Sequence, residues 1–261
     1  MTWTWNPSDK SAGITLSNGD LTATRNGASS YAGVRSIASL LLTGKHYFEY
    51  YIENHASNHI LGIADGSVGL TYPGAAMDGF GYRSTGDKYP AGGAYGDSYT
   101  TGDVIGVAYD ADNAKLWFSK NNVWQASGDP VAGTNAAFTG MTADTYYAMA
   151  GLYSTNDEVT VRFTTASQTY SPPTGFLVPG DPIIVLSVEG YVYEMGNPVI
   201  RQLFLHDRSD GALVDSTTSS GDGYYSMEST ISGAHYIVCL DDDAGVDYND
   251  LIVGPVYPVE V

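Results

Sequence analysis

Hydrophobic and polar positions alternate along most of this chain with a period of two. Ile105, Val107 and Tyr109 share one face of a strand, and after a short polar turn Leu116 and Phe118 share one face of the next. Phe48, Tyr50 and Ile52 align in the same way, and Ile60–Ala64, Phe80–Tyr82, Tyr146–Leu152 and Glu158–Phe163 read as further strands. Asn18-Gly19 marks a hairpin between Ile14–Leu16 and Leu21–Ala23, and Asp112-Asn113 and Asn121-Asn122 mark two more, because these residues tolerate the positive φ of tight turns. No apolar segment with helical period is long enough to predict a helix. Strands at roughly ten-residue spacing predict β-sandwiches rather than βαβ units.

Two proline clusters interrupt the pattern. Ser171-Pro-Pro-Thr-Gly175 and Pro179-Gly-Asp-Pro182 bracket a segment that cannot continue a central strand, so the reading divides the chain near residue 180 into units 1–178 and 183–261. Both are predicted all-β. Composition agrees: 31 Gly and 21 Tyr among 261 residues suit short strands, tight turns and half-exposed aromatic surfaces. Trp3 and Trp5 are expected to anchor the first strand in the core.

The residues that carry the strand pattern also carry a resemblance. Gly44-Lys-His-Tyr-Phe-Glu-Tyr50, Leu61-Gly-Ile-Ala64, Gly102-Asp-Val-Ile-Gly106 and Tyr170-Ser-Pro-Pro-Thr-Gly-Phe176 occur in the order found in the SPRY family. Asn121-Asn122 stands where that family usually has Asn-Gly, and Arg162-Phe163-Thr164 departs from its common Asn-Phe-Gly. Residues 3–178 thus resemble a SPRY domain, a bent β-sandwich that binds partners and does no chemistry. From residue 183 onward, Val188-Glu-Gly-Tyr-Val192, Pro198–Leu203, Asp210-Gly211 and Gly223-Tyr-Tyr225 resemble a smaller sandwich of the immunoglobulin-like, transthyretin-like or carboxypeptidase-regulatory kind. Such tandem β modules, closed by the Asp-rich run Asp241–Asp250, look like virion proteins of tailed phages.

Charge narrows the partners. The net charge is −18, which excludes nucleic acid as a direct partner, since phosphate binding needs a basic surface. The imbalance is concentrated: residues 181–261 hold fourteen acids against Arg201 and Arg208 alone. No apolar run reaches membrane-spanning length, and no signal peptide is visible after Met1. The one cysteine, Cys239, excludes an intrachain disulfide and is expected to be a buried small hydrophobe.

No catalytic constellation emerges. His55 and His59 have the spacing that binds zinc from a helix face, but they lie between two strands and read as a polar hairpin loop. Asp241–Asp250 is the best calcium candidate, yet Gly245 falls on a ligand position of the EF-hand pattern, and the run reads as a solvated turn. Nucleophile-elbow, Walker and Rossmann patterns are missing. The reading is therefore a protein that is not an enzyme and uses no cofactor or metal. Tyr72, Tyr82, Tyr89, Tyr95 and Tyr99 punctuate a Gly-rich stretch and, with Trp117, form the expected recognition surface, because such rings bury area at small entropic cost. The resemblance implies a virion component made in the host cytoplasm and repeated on a symmetric particle. Its partners would be other virion proteins and a host-surface glycan or protein. The alternative is a carbohydrate-binding module of a secreted bacterial enzyme or adhesin.

Overall fold

Ile105, Val107 and Tyr109 face Lys120, Phe118 and Leu116 in an antiparallel pair. Their neighbour on the other side is the strand of Phe48 and Tyr50, opposite Val107 and Ile105. In the computed structural model, which describes residues 3–90, 92–142, 145–181, 186–229, 234–240 and 251–260, strand accounts for 50% of the chain and helix for 1%. The chain divides into two compact units, Met1–Asp181 and Pro182–Val261. No helix among the described residues is long and apolar enough to cross a membrane.

The first unit contains β1 (Trp5–Lys10), β2 (Ile14–Ser17), β3 (Thr22–Arg25), β4 (Ala32–Ser39), β5 (Lys45–Asn54), β6 (Ile60–Asp65), β7 (Gly79–Arg83) and β8 (Asp87–Tyr89). After them come β9 (Gly93–Ala94), β10 (Val104–Asp110), β11 (Lys115–Lys120), β12 (Val123–Trp124), β13 (Phe138–Thr139), β14 (Tyr146–Leu152) and β15 (Glu158–Arg162). One sheet runs β1-β4-β14-β6-β7-β8-β9, and the second runs β12-β11-β10-β5-β15-β3-β2, with β13 beside β11. Between the sheets lies the core, in which Trp5 stacks on Tyr50 at 6.0 Å. The Tyr50 hydroxyl crosses the sandwich and meets the carbonyls of Gly62 on β6 at 2.7 Å and Met149 on β14 at 3.2 Å. Its ring therefore sits in the core while its one polar atom is satisfied. Trp3 is only partly buried, against Phe163.

The second sheet is covered on both faces, so all seven residues of β10 are buried. Its outer face carries Tyr47, Ala108 and Trp117, and Phe176 packs over them. Glu49 holds that covering segment in place. It is fully buried, and its carboxylate accepts the amides of Thr169 at 2.7 Å and Tyr170 at 2.9 Å and the Tyr47 hydroxyl at 3.0 Å, with Arg162 3.8 Å away. Leu177 then exchanges backbone bonds with Lys45 and Tyr47.

The turns differ in one detail from the sequence reading. Asn121 and Asn122 do take positive φ, at 48° and 65°. Between β10 and β11 it is Ala114 that turns left-handed, at 51°, while the Asn113 amide is drawn onto the Asp110 carboxylate at 3.0 Å. An Asp at the strand end captures the loop amide, so the turn is longer than two residues.

In the second unit the strands are β16 (Leu186–Tyr191), β17 (Tyr193–Glu194), β18 (Asn197–Pro198), β19 (Gln202–Asp207), β20 (Leu213–Thr218), β21 (Tyr224–Ser229), β22 (His235–Cys239), β23 (Leu251–Val256) and β24 (Val259–Glu260). They form sheets β21-β16-β24 and β20-β19-β22-β23 and the small hairpin β17-β18. Val188, Leu203, Leu205, Met227 and Ile237 make a small core, against which Cys239 packs half-buried. Asp241–Asp250 lies outside the described residues.

Replacing Glu49 by Gln sets an amide NH2 against two backbone donors and removes the charge they stabilise. The Glu49→Gln protein is expected to lose about 3 kcal/mol in denaturant unfolding. Stability within about 0.5 kcal/mol of wild type would show that the carboxylate does not hold the segment.

Candidate recognition surface

The stretch from Tyr72 to Tyr99, read from its glycines as exposed loops, contains the short strands β7, β8 and β9. Strand alternation turns Tyr82 inward on β7, and the irregular chain after β9 brings Tyr95 and Tyr99 against it. Tyr82 is 0% and Tyr99 2% exposed; they pack on each other, and Tyr82 also packs on Tyr95 and Phe118. Their hydroxyls are spent on backbone carbonyls, Tyr82 on Asp97 and Tyr99 on Tyr82 at 2.9 Å. Tyr95, pushed up to about 12 by burial, accepts the Phe118 amide at 3.3 Å. Trp117 does point away from Leu116 and Phe118, but into the covered outer face, where its indole N–H donates to the Thr134 carbonyl at 2.7 Å. Tyr82, Tyr99 and Trp117 are thus core residues, and Tyr95 is mostly so. Each buries an apolar body and satisfies one polar atom.

Tyr72 and Tyr89 do reach the surface, half-buried, and the fold adds partners that the sequence reading missed. The Tyr72 ring lies 4.5 Å from Tyr31 and 6.0 Å from Tyr89, and Tyr31 lies 5.0 Å from Tyr153. Arg83 stands among them, donating to the Tyr89 hydroxyl at 3.2 Å and to the Asn58 side-chain carbonyl at 2.6 Å. Its Nε is buried with no partner among the described residues. Burial raises the Tyr31 hydroxyl to about 12 against the opposing pull of the Arg83 charge.

Sheet order explains the gathering. Ala32 pairs with Leu152, Gly151 with Ile60, and Ile60 with Arg83, so the ends of β4, β14, β6 and β7 form one row. Tyr31 precedes that row, Tyr153 follows it, and Asn58 leads into it. Tyr72 is set by glycines. Gly33 and Gly151 are paired across β4 and β14, and segment 70–74 lies over them and over Gly81 on β7. A Cβ on Gly151 would stand 2.4 Å from the Tyr72 Cβ and 2.8 Å from the Thr71 carbonyl. Only the absence of a side chain permits this approach.

The loops carrying Asn58 and Tyr153 are clamped by buried Asp157. Its carboxylate accepts the amides of Ala56 at 2.7 Å, Ser57 at 3.2 Å, Tyr153 at 3.1 Å and Ser154 at 2.6 Å. His59 Nε2 lies 3.1 Å from it. Burial works to raise its pKa, but the His59 contact and the amides outweigh it and hold the group below the usual carboxylate value. The His55–His59 segment is a loop, as the sequence reads, but it is not a hairpin, because it joins strands of different sheets. His59 is fully buried, and the two rings meet edge to face at 4.7 Å. The described residues hold no group of three His, Cys, Asp or Glu side chains suited to a metal ion.

Residues 45–166 match the family model of the SPRY domain. The dual specificity protein kinase splA of Dictyostelium discoideum is 30% identical over 122 residues, which take in 45% of this chain and 5% of that protein. The Ran-binding proteins 9/10 homolog of Drosophila melanogaster is 32% identical over 136 residues, covering 46% of this chain and 14% of its own length. The chain thus spans a small part of either relative. Among solved structures, the SPRY domain of human HERC1 superposes with a TM-score of 0.51 at 19% identity, over 60% of this chain and 96% of that one, a likeness of fold.

Two substitutions test the geometry. Gly151→Ala is expected to cost about 2 kcal/mol by forcing segment 70–74 off the sheet. Gly69→Ala, which meets nothing within 4 Å, serves as the neutral control. Equal stability of the two variants would refute the inlaid segment.

The Asp157 pKa is depressed in the fold, so its contribution is complete above the ordinary carboxylate range and lost as pH falls through the depressed value. Asp157→Asn is expected to cost about 3 kcal/mol at neutral pH. It should also flatten the acid limb of a stability profile below about pH 4. An unchanged acid limb would count against the clamp.

Proposed function

We propose that this chain, which carries a SPRY domain over residues 45–166, is a recognition module that binds a peptide segment of a partner protein through Tyr31, Tyr72, Arg83, Tyr89 and Tyr153 and performs no catalysis. SPRY domains usually mediate protein–protein interaction, which gives the class. The observation that carries the site is Arg83, a cation ringed by half-buried tyrosines at the rigid end of a sheet, with a buried Nε that has no partner among the described residues. The guanidinium and phenol groups offer donors, and the rings offer flat apolar area. A peptide bearing carboxylate or carbonyl acceptors beside an apolar side chain suits them. Loops fixed on a rigid scaffold are where such binding is usually placed.

The wider setting is also a proposal. A tailed-phage virion, with copies repeated on a symmetric particle, is supported by the tandem β units and the acidic second unit, and repetition gives a weak site avidity. The transthyretin-like resemblance of the second unit is supported by its two small antiparallel sheets. Both curated relatives are eukaryotic proteins, and neither name concerns a virion.

Selection from a random peptide library on the full chain tests the site. Enrichment of acidic peptides is expected, with binding weakened about tenfold or more by Arg83→Ala and by Tyr72→Ala. Enriched peptides indifferent to both changes would overturn it. Binding of glycans through the same tyrosines would favour the carbohydrate-binding alternative instead.

A further inference from the structure

The second unit presents aromatic rings that its small core does not use. Strand alternation sends Val188 inward and puts Glu189 and Tyr191 on exposed positions of β16. Tyr191 pairs in register with Tyr224 on β21, and their rings meet edge to face at 5.4 Å. Tyr193 continues the array, stacked on Tyr191 at 6.1 Å. Tyr191 is 58% and Tyr193 57% exposed, an unusual outlay of apolar area for a unit whose core is so small.

The surroundings of these rings are acidic. Glu189 stands two residues before Tyr191, and Glu228 lies on an exposed position of β21, where its amide donates to the Asp215 carboxylate at 2.7 Å. The unit's two cations offer little neutralisation, because Arg201 is engaged with Glu194 at 2.7 Å and Arg208 is the other. Flat π-faces within a field of carboxylates complement a planar cation. Guanidinium stacks on an aromatic face and forks onto a carboxylate, whereas an ammonium acts as a point charge. The first unit contains this arrangement internally: the Arg162 guanidinium lies 4.5 Å over the Tyr51 ring, with Glu49 3.8 Å away.

We infer that the Tyr191–Tyr193–Tyr224 ledge, with Glu189 beside it, is a second binding surface whose occupant is an arginine-bearing basic segment of a partner protein. Charge complementarity selects that occupant. The surface lies on a different unit from the Arg83 site and has the opposite preference, a cation here and acceptors there. One chain would thereby bridge two partners of unlike charge.

The test measures binding of fluorescent hexa-arginine, hexa-lysine and hexa-glutamate peptides to the full chain by anisotropy, at low and high salt. Hexa-arginine is expected to bind several-fold tighter than hexa-lysine, and hexa-glutamate not at this surface. The double change Tyr191→Ala, Tyr193→Ala should weaken hexa-arginine about tenfold, and Tyr191→Phe should keep most of the affinity because the ring remains. Glu189→Gln should weaken binding and reduce its salt dependence. Equal affinity for arginine and lysine peptides, or an unchanged affinity in the double variant, would show only diffuse attraction to an acidic protein and overturn the inference. If the double variant fails to fold, the arginine–lysine comparison and Glu189→Gln decide alone. Arg83→Ala should leave hexa-arginine binding unchanged, so this proposal and the one for the first unit fail separately.

Discussion

A carboxylate removed from water is tolerated only where its lone pairs are filled, and Asp157 shows how much structure that demand can organise. Four backbone amides from two separate loops converge on it, and His59 adjoins it. These loops end β5 and β14, strands that belong to different sheets. The group therefore fixes the spacing of the two layers at one end of the sandwich, where the tyrosine cluster stands. Glu49 does the same for the outer covering of the second sheet. In each case backbone amides bind the carboxylate alongside one basic side chain, Arg162 for Glu49 and His59 for Asp157, so main chain and side chain fix the geometry together.

Much of the fold was readable because its strands alternate cleanly. The β10–β11 hairpin, the Phe48–Tyr50–Ile52 face and the Asn121-Asn122 turn follow from period and turn chemistry alone. Alternation says which residues share a face; it does not say whether that face meets solvent. Trp117 was correctly placed opposite Phe118, yet that side is buried too, because residues 169–178 fold back over it. Tyr82 and Tyr99 are hidden for other reasons. The β7 strand that carries Tyr82 is legible, but alternation does not say that its Tyr82 face is covered, and Tyr99 lies in irregular chain that leaves no periodic trace.

The site was half legible. Tyr72 and Tyr89 carry a local signal, an aromatic among glycines. Tyr31, Arg83 and Tyr153 carry none, since they meet only because β4, β14, β6 and β7 are neighbours in an order unrelated to their order in the chain. A strand end just before or after a tyrosine is a weak cue, and it becomes informative only once the pairing is known. The ledge on the second unit was hidden differently: Tyr191 falls on the outward phase of β16 and Tyr193 on the separate β17, and alternation does not tell a solvent-facing sheet surface from a covered one.

The glycine seat beneath residues 70–74 has a consequence for how such a surface can change. Tyr72 is positioned by main chain resting on main chain, at Gly33, Gly151 and Gly81, so its location does not depend on which side chain occupies that position. Tyr31, Tyr89 and Tyr153 likewise project from strand ends whose backbone is held by sheet pairing. The rings behave as interchangeable fittings on a fixed frame. New specificities can therefore be sampled by exchanging one ring at a time while the frame stays folded, with the glycines and Asp157 as the positions that do not allow exchange.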